Sequence, residues 1–180
     1  MIILGVDPGF ASLGYSVINA DASGDKILEY GVISTVKNSK KEVIGLRVIN
    51  DDKERLFFIY KKLIEIINKY NPNVISMEGY GPRPGKGKGW KGCFGFLVAI
   101  IIAFQRNIET LVFISSDIKI RVGENYKASK EDVQKKVEQY FKIKIKSKKK
   151  YIEHIGDSLA LCILAKNEMS KLSGIMKGNI

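Results

Sequence analysis

Residues 54–78 read ERLFFIYKKLIEIINKYNPNVISME, a sequence that predicts a long helix followed directly by a buried strand. Apolar residues recur three and four positions apart, as on one helix face: Leu56, Ile59, Tyr60, Leu63, Ile66, Ile67 and Tyr70. Asn71 and Pro72 end this helix, which we expect over 51–70. A strand that follows a helical crossover is normally parallel to a strand already in the sheet. The stretch therefore indicates an α/β fold.

The chain before this helix is typical of three short strands joined by close turns. The apolar segments are 2–6, 14–18 and KILEYGVIST at 26–35. Their close spacing predicts an antiparallel meander. Residues 36–50 have no clear pattern and fit a loop.

Downstream of Glu78 the pattern predicts four helices and one strand. We expect an apolar helix over 93–107, a strand over 110–114 and a short helix capped by Ser116. A helix over 129–141 opens with the capping-box pattern Ser-Lys-Glu-Asp. The last helix is predicted over 151–169.

Length and composition fit a single domain. At 180 residues the chain falls in the usual range of roughly 100–200 residues per domain. We expect one domain over 1–170 and a basic, flexible tail over 171–180. Two cysteines, Cys93 and Cys162, suggest no disulfide framework and favour a reducing cytoplasm. Neither a signal peptide nor a membrane span is expected, because the longest apolar run is well short of roughly 20 residues.

The charge of the chain is strongly positive. Thirty Lys and Arg residues against nineteen Asp and Glu give a net charge of +11. The excess is clustered in KNSKK at 37–41, RPGKGKGWK at 83–91 and KIKIKSKKK at 142–150. Such patches attract polyanions, and nucleic acid is the partner that they favour. A lysine-rich genome with solvated loops is the alternative explanation.

Two carboxylates follow apolar strands. Asp7 and Glu78 each end such a strand and are followed by glycine within two positions. If the two strands are parallel neighbours, both side chains lie at the carboxyl edge of the sheet, where open α/β sheets carry their sites. A simple Asp-Pro-Gly turn and a solvated strand-terminal Glu are the alternatives.

The last helix carries a histidine and an aspartate on one stripe. In HIGDSLALCILA, residues 154–165, His154 and Asp157 share a face with Leu161 and Leu164. A helix that is apolar nearly all round is buried, and converging buried carboxylates are usually held by a divalent cation. A hydrogen-bonded His–Asp pair in the core stays open as an alternative. A Ser-His-Asp hydrolase is disfavoured, because no G-x-S-x-G sequence occurs.

Four motifs in order resemble those of RuvC-type Holliday junction resolvases. They are ILGVDPGFASLGYSVI (3–18), ERLFFIYKKLIEIINKYNPNVISMEG (54–79), IKIRVGENYKASKEDVQKKV (118–137) and HIGDSLALCILA (154–165). The resemblance implies an RNase H-like fold, in which a five-stranded mixed sheet has three antiparallel strands, then two parallel strands, flanked by helices.

The resemblance also implies a site and a reaction. Four residues correspond to catalytic metal ligands: Asp7, Glu78, His154 and Asp157. At the position of His154 many members carry aspartate and some carry histidine. Lys119 and Lys130 match lysines near the DNA backbone; ordinary surface lysines are the alternative. Two Mg²⁺ ions, for which Mn²⁺ can substitute, would activate a water and stabilise the leaving 3′ oxygen.

The function so implied is that of a metal-dependent, structure-selective DNA endonuclease. It would act as a homodimer on four-way junctions, by paired phosphodiester hydrolysis, in the cytoplasm of a bacterium or a phage-infected host. Whether a branch-migration motor cooperates with it stays open. The helix CFGFLVAIIIAF (93–104) is a candidate dimer interface, with a central buried helix as the alternative.

The segment after Glu78 departs from the family. GYGPRPGKGKGWKG (79–92) is rich in glycine and lysine, and it suggests a phage-type or otherwise divergent member. Aromatic rings among cations suit base stacking with phosphate contact. The expected DNA-binding residues are Tyr80, Arg83, Lys86, Lys88, Trp90 and Lys91. The alternative is a disordered insertion.

Two other functions compete with a junction resolvase. One is an RNase H-like nuclease of the YqgF type that acts on structured RNA. The other is a non-catalytic protein that binds branched DNA.

Overall fold

The computed structural model of the chain describes residues 1–35, 52–79 and 92–177. The strands are β1 (Ile2–Asp7), β2 (Ser12–Asn19), β3 (Lys26–Ser34), β4 (Val74–Glu78) and β5 (Glu109–Phe113). The helices are α1 (Asp52–Tyr70), α2 (Gly92–Gln105), α3 (Ser115–Arg121), α4 (Lys130–Phe141) and α5 (Lys149–Lys177). The loop predicted over 36–50 and most of the 79–92 segment lie outside the described residues.

The five strands form one mixed sheet in the order β3-β2-β1-β4-β5. β1 pairs antiparallel with β2, and β2 pairs antiparallel with β3. β4 is parallel to both β1 and β5. The predicted fold of three antiparallel strands, then two parallel strands, is confirmed. The parallel pairing follows from α1, which brings the chain back to the same end of the sheet before β4 begins.

The two faces of the sheet carry separate apolar cores. On one face α1 and α2 pack through residues such as Ile59, Leu63 and Ile102. On the other face α5 packs on the sheet with α3 and α4 beside it, and Leu159 and Leu161 are fully buried. This second face fixes α5, the helix that carries His154 and Asp157.

Two glycines let α5 approach the sheet closely. A Cβ atom on Gly5 of β1 would lie 2.1 Å from the carbonyl oxygen of Ser158. A Cβ atom on Gly14 of β2 would lie 2.2 Å from the carbonyl oxygen of His154. Any side chain there would push α5 away from the strands. The separation between Asp7 and the helix residues therefore depends on these two positions.

Buried serines tie the same helix to the strands beneath it. Ser16 Oγ and Ser158 Oγ share a hydrogen bond of 2.6 Å, and Ser76 Oγ donates to the carbonyl oxygen of Leu161 at 2.8 Å. All three serine residues are fully buried, so each hydroxyl satisfies a polar group that would otherwise be costly. They fix the position of α5 along the strands.

Two helix ends and the burial of one helix differ from the sequence predictions. Ser116 is not a cap: α3 begins at Ser115 after Ile114, whose backbone N–H donates to the Asp117 side chain at 2.9 Å. The Asp117 carboxylate thus binds the backbone N–H of the N-cap residue, and no side chain of the described residues caps the first turn of α3. α5 continues to Lys177 rather than ending at 169, so it includes most of the expected tail over 171–180. In contrast, α4 starts as predicted, since the backbone N–H of Asp132 donates to Ser129 Oγ.

The third difference concerns the apolar helix α2, which is not a central buried helix. Leu97 and Ile101 are 47% and 50% exposed, and Phe104 is 88% exposed. The opposite side, with Ala99 and Ile102, is buried on the sheet. α2 is therefore apolar on two faces, and the described residues cover only one of them. In the described part of the chain no helix is both long enough and apolar enough to cross a membrane.

Candidate active site

Asp7 and Glu78 end adjacent parallel strands. Val6 of β1 is in register with Met77 of β4, so the residues that follow them emerge at the same edge of the sheet. Asp7 is 9% exposed, whereas Glu78 is partly exposed. The two carboxylates lie at the carboxyl ends of the parallel strands, as the sequence predicted.

Helix α5 brings the remaining two candidate residues to this edge. His154 and Asp157 lie three positions apart on the helix, and both face the strand ends. His154 Nδ1 lies 2.7 Å from Asp7 Oδ2, which is a hydrogen bond between the helix and the end of β1. The imidazole is therefore held against the strand carboxylate.

The four side chains border one cavity of about 360 Å³. Its polar lining consists of Asp7, Glu78, Ser115, Lys119, Ser129, Lys130, His154 and Asp157, and its apolar lining of Ile118, Ala128 and Val133. The structure thus gathers residues from two strands and three helices that are up to 150 positions apart in the sequence (157 − 7 = 150). Their catalytic and metal-binding roles stay predictions.

The Asp157 carboxyl has a strongly raised pKa. Its side chain is only 14% exposed. The pKa of this carboxyl is raised from 3.8 to about 7, chiefly by burial and in part by the nearby negative charges of Asp7 and Glu78, against the opposing effect of Lys130. Near neutral pH the metal-free site therefore holds this carboxylate at a cost in stability.

The pKa of His154 is also raised, but for a base this favours the charged form. Its hydrogen bond to Asp7 raises the pKa of the imidazole above its ordinary value of 6.5, and partial burial opposes that effect. An imidazolium beside a carboxylate partly offsets the negative charge of the cavity. In the metal-free protein His154 thus acts as an internal counter-charge.

Two lysines of the cavity come from α3 and the start of α4. Lys119 lies in the lining, as does Lys130. Lys130 Nζ forms an ion pair with Glu153 and lies 3.8 Å from Asp157 Oδ2. Lys130, which is predicted to contact the DNA backbone, therefore lies close to Asp157 in the DNA-free structure and is paired with Glu153 of α5.

The DNA-binding residues that we expect in the 79–92 segment cannot be placed relative to the cavity. Tyr80, Arg83, Lys86, Lys88, Trp90 and Lys91 are outside the described residues. Their role in DNA binding stays a prediction.

Ser115 was missed by the sequence reasoning. Its hydroxyl donates to Glu78 Oε1 from the first position of α3. Phe113 is in register with Glu78, so a residue just after β5 lies beside the end of β4. A polar side chain directly after the second parallel strand was the signal that could have identified it.

The donor set of the cavity fits a divalent cation. Carboxylate oxygens with one imidazole are ligands that Mg²⁺ and Mn²⁺ accept, and a bound cation would favour the ionised form of Asp157, whose pKa is raised by burial and by the neighbouring acids. Within the described ranges, no three acidic, histidine or cysteine side chains are arranged as a finished metal site.

The mixed sheet, with acids at the ends of β1 and β4 and on α5, defines the RNase H-like class of fold. Residues 3–165 match the family model of the crossover junction endodeoxyribonuclease RuvC. This match covers well over half of the chain. The protein therefore belongs to the RuvC family of crossover junction endodeoxyribonucleases.

Similar proteins support this placement along the whole chain. RuvC of Brachyspira hyodysenteriae is 33% identical over 137 residues, which are 76% of this chain and 79% of that protein. RuvC of Ruminiclostridium cellulolyticum is 28% identical over 187 residues, covering 99% of this chain and 98% of that protein. The match favours the RuvC family over the RNA-directed YqgF group.

Solved structures show the same fold. Thermus thermophilus RuvC aligns with a TM-score of 0.70 at 20% identity, over 89% of this chain and 90% of that chain. The structure of T. thermophilus RuvC in complex with Holliday junction substrate aligns with a TM-score of 0.68 at 18% identity, with the same coverage. At these identities the similarity concerns the fold.

Proposed function

We propose that this protein is a divalent-metal-dependent endonuclease that resolves four-way DNA junctions by paired phosphodiester hydrolysis. The observation that carries the proposal is the convergence of Asp7, Glu78, His154 and Asp157 on one cavity of a RuvC-family fold. The junction complex of T. thermophilus RuvC supports branched DNA as the substrate. Two free cysteines, one of them buried, fit action in a reducing cytoplasm.

We assign Asp7, Glu78 and Asp157 as the principal ligands of the metal, and His154 as a ligand or close support. Bound there, two Mg²⁺ ions would supply an activated water and stabilise charge on the scissile phosphate and the leaving oxygen. The carboxylates orient this chemistry from fixed strand ends and from a helix that is held by buried contacts. Ser115 fixes the Glu78 carboxylate by donating its hydroxyl hydrogen bond.

The lysines of the cavity have a separate role in this proposal. Lys119 and Lys130 attract the phosphate backbone toward an otherwise acidic site. Since Lys130 contacts Glu153 and Asp157 in the absence of DNA, it exchanges carboxylate partners for phosphate when the substrate arrives. The exchange keeps an ammonium near the reacting phosphodiester without leaving it unpaired in the free protein.

The first test removes the charge of each acid in turn. Asp7→Asn, Glu78→Gln and Asp157→Asn should each abolish cleavage of a synthetic four-way junction in Mg²⁺, because each deletes a negative oxygen without changing shape. Junction binding in EDTA should persist, since it depends on the basic surface. Glu65→Gln, an exposed acid on α1 that pairs with Lys62, is the matched control and should cut normally.

The outcomes separate the competing functions. A variant at Asp7, Glu78 or Asp157 that cuts at the wild-type rate would overturn the assigned site. Wild type that binds junctions but never cuts them would support a non-catalytic DNA-binding protein. Faster cleavage of structured RNA than of the DNA junction would support the RNA-directed alternative.

We further propose that the active form is a homodimer assembled through α2. The exposed apolar stripe of Leu97, Ile101 and Phe104 supports this, because such a continuous surface is costly in a monomer. Phe104→Glu should therefore give monomers in sedimentation velocity and convert paired cuts into single nicks or none. Phe57→Glu, at an exposed phenylalanine of α1, is the control. Unchanged dimers in Phe104→Glu would exclude this face.

A further inference from the structure

The connection between α4 and α5 carries a row of lysines that the proposed reaction does not use. Residues 142–150 read KIKIKSKKK, and their six lysines are all exposed: Lys142, Lys144, Lys146, Lys148, Lys149 and Lys150. We refer to residues 142–150 as the lysine strip.

The backbone of the lysine strip is fixed by the core beneath it. Ile145 is 4% exposed and Ile143 packs against the same cluster, so these two side chains point inward between the outward lysines. The backbone N–H of Ile143 donates to the carbonyl oxygen of Glu138 at 3.0 Å, and that of Ile145 donates to Glu138 Oε1 at 3.1 Å. The outward direction of the lysines is therefore set by the fold.

The lysine strip runs beside the edge strand β3 toward the active-site end of the sheet. The backbone N–H of Lys146 donates to Tyr30 Oη at 3.3 Å, and Tyr151 Oη donates to Ser34 Oγ at 3.1 Å. Ser34 ends β3 and is in register with Ser12 at the start of β2, the end of the sheet where Asp7 lies. The lysines thus reach the end of the sheet at which the cavity lies.

Most of this positive charge is uncompensated. Lys144 pairs with Glu138 at 2.8 Å. Among the described residues, Lys142, Lys146, Lys148 and Lys149 form no ion pair with a carboxylate.

We propose that the lysine strip binds the phosphate backbone of a duplex arm of the junction and leads that arm to the active site. This inference rests on the proposed function and deepens it by assigning a surface for DNA beyond the cut. Nine residues reach at most about 30 Å, since an extended chain spans about 3.3 Å per residue. At about 3.4 Å of duplex axis per phosphate on each strand, that reach matches about nine base pairs.

The chemistry of the lysine strip favours duplex over single-stranded DNA. Single strands are normally bound by aromatic rings on which bases stack. The aromatic residue that follows the strip, Tyr151, uses its hydroxyl on Ser34, and its ring faces the Lys150 ammonium at 4.7 Å. A row of cations without a free stacking platform recognises the backbone and not the bases.

The test compares two triple variants of equal charge change. Lys146→Gln, Lys148→Gln and Lys149→Gln together remove three charges from the lysine strip. The matched control is Lys61→Gln, Arg106→Gln and Lys171→Gln, three exposed cations outside the lysine strip. Binding of a four-way junction with long arms is measured in EDTA against salt concentration, and single-turnover cleavage is measured at saturating protein in Mg²⁺.

The expected result is a shallower salt dependence in the strip variant alone. Each lost phosphate contact reduces the slope of log K against log salt by about 0.9, so three contacts reduce it by about 2.7. Between 50 and 200 mM salt, wild type should then lose about 40-fold more affinity than the strip variant (4 raised to 2.7). Saturated cleavage should stay at the wild-type rate, because the lysine strip does not contact the reacting phosphodiester.

Other outcomes distinguish a failure of this inference from a failure of the proposed function. If the strip variant has the slope of wild type while wild type cuts junctions, the lysine strip does not bind DNA and the proposed function stands. If wild type neither binds nor cuts junctions, the proposed function fails and this inference fails with it. Arginine at the same three positions should restore the slope. A slope that stays shallow with arginine would mean a structural defect and would overturn phosphate binding.

Discussion

Removing the charge of Asp157 should change how the stability of the metal-free protein depends on pH. The carboxyl ionises near 3.8 in the unfolded chain and near 7 in the folded cavity, chiefly because it is buried. Between these two pH values the folded state binds more protons than the unfolded state. The contribution of Asp157 to the free energy of unfolding must therefore fall as pH rises from about 4 to about 7.

The size of the effect follows from the shift. A difference of about three pKa units, at about 1.4 kcal/mol per unit, gives about 4 kcal/mol between the two ends of this window. That is a large part of the 5–15 kcal/mol by which domains are usually stable. Asp157→Asn keeps the shape of the side chain but cannot ionise. It should lose this pH dependence and be the more stable protein above pH 7 in EDTA.

Urea unfolding in EDTA from pH 4 to pH 8 measures the difference directly. The free energy of unfolding of wild type should fall with pH relative to that of Asp157→Asn. Added Mg²⁺ should raise the free energy of unfolding of wild type far more than that of the variant. Asp132→Asn is a control of opposite sign, because hydrogen bonds from Ser129 lower the pKa of Asp132. Its charge stabilises the protein above its unfolded pKa, and that stability is lost as pH falls. Parallel curves for wild type and Asp157→Asn would refute the reasoning.

Two further predictions concern His154 and the packing of α5. In cleavage assays the acid limb should lie above about pH 6.5, because the bond to Asp7 raises the pKa of His154 and an imidazolium cannot bind a cation. His154→Asp should keep cleavage, move the acid limb to lower pH and shift the metal preference toward Mg²⁺. His154→Ala should be badly impaired in cleavage. If wild type and His154→Asp have the same acid limb, the imidazole is a packing group. Gly14→Ala should destabilise the protein by about 1–3 kcal/mol in thermal unfolding and slow cleavage, because its Cβ meets the backbone of α5. Gly156→Ala, whose Cβ would meet only ordinary contacts near 3.8 Å, should instead stabilise by about 0.5–1 kcal/mol, and equal effects would contradict the close-approach argument.

The sheet and the first two acids could be predicted because their signals are local. The apolar periodicity of α1 and the uniform burial of β4 indicate a crossover, and a crossover places the ends of β1 and β4 side by side. The S-K-E-D sequence fixed the start of α4 for a similar reason, since a capping box involves neighbours only. Each of these inferences needs no knowledge of distant residues.

The rest of the site depends on contacts between distant parts of the chain. Ser115 and Glu78 meet because two strand ends are in register, and Lys130 meets Glu153 because α4 packs against α5. The start of α3 was missed because its N-cap is Ile114, a residue whose side chain cannot cap a helix. Single-sequence patterns do not specify such partners, so the electrostatic balance of the cavity could not be predicted from them.

The balance of charges in the cavity reduces the stability of the metal-free protein. Gly5 and Gly14 allow α5 to approach the sheet so closely that Asp157 is carried into a buried position near Asp7. A larger residue at either glycine would relax this crowding and relieve the repulsion. The fold instead keeps the carboxylates close and offsets them only in part, with His154 and Lys130. We expect a divalent cation to relieve this repulsion when it binds, and that expectation links the packing of one helix to the proposed reaction.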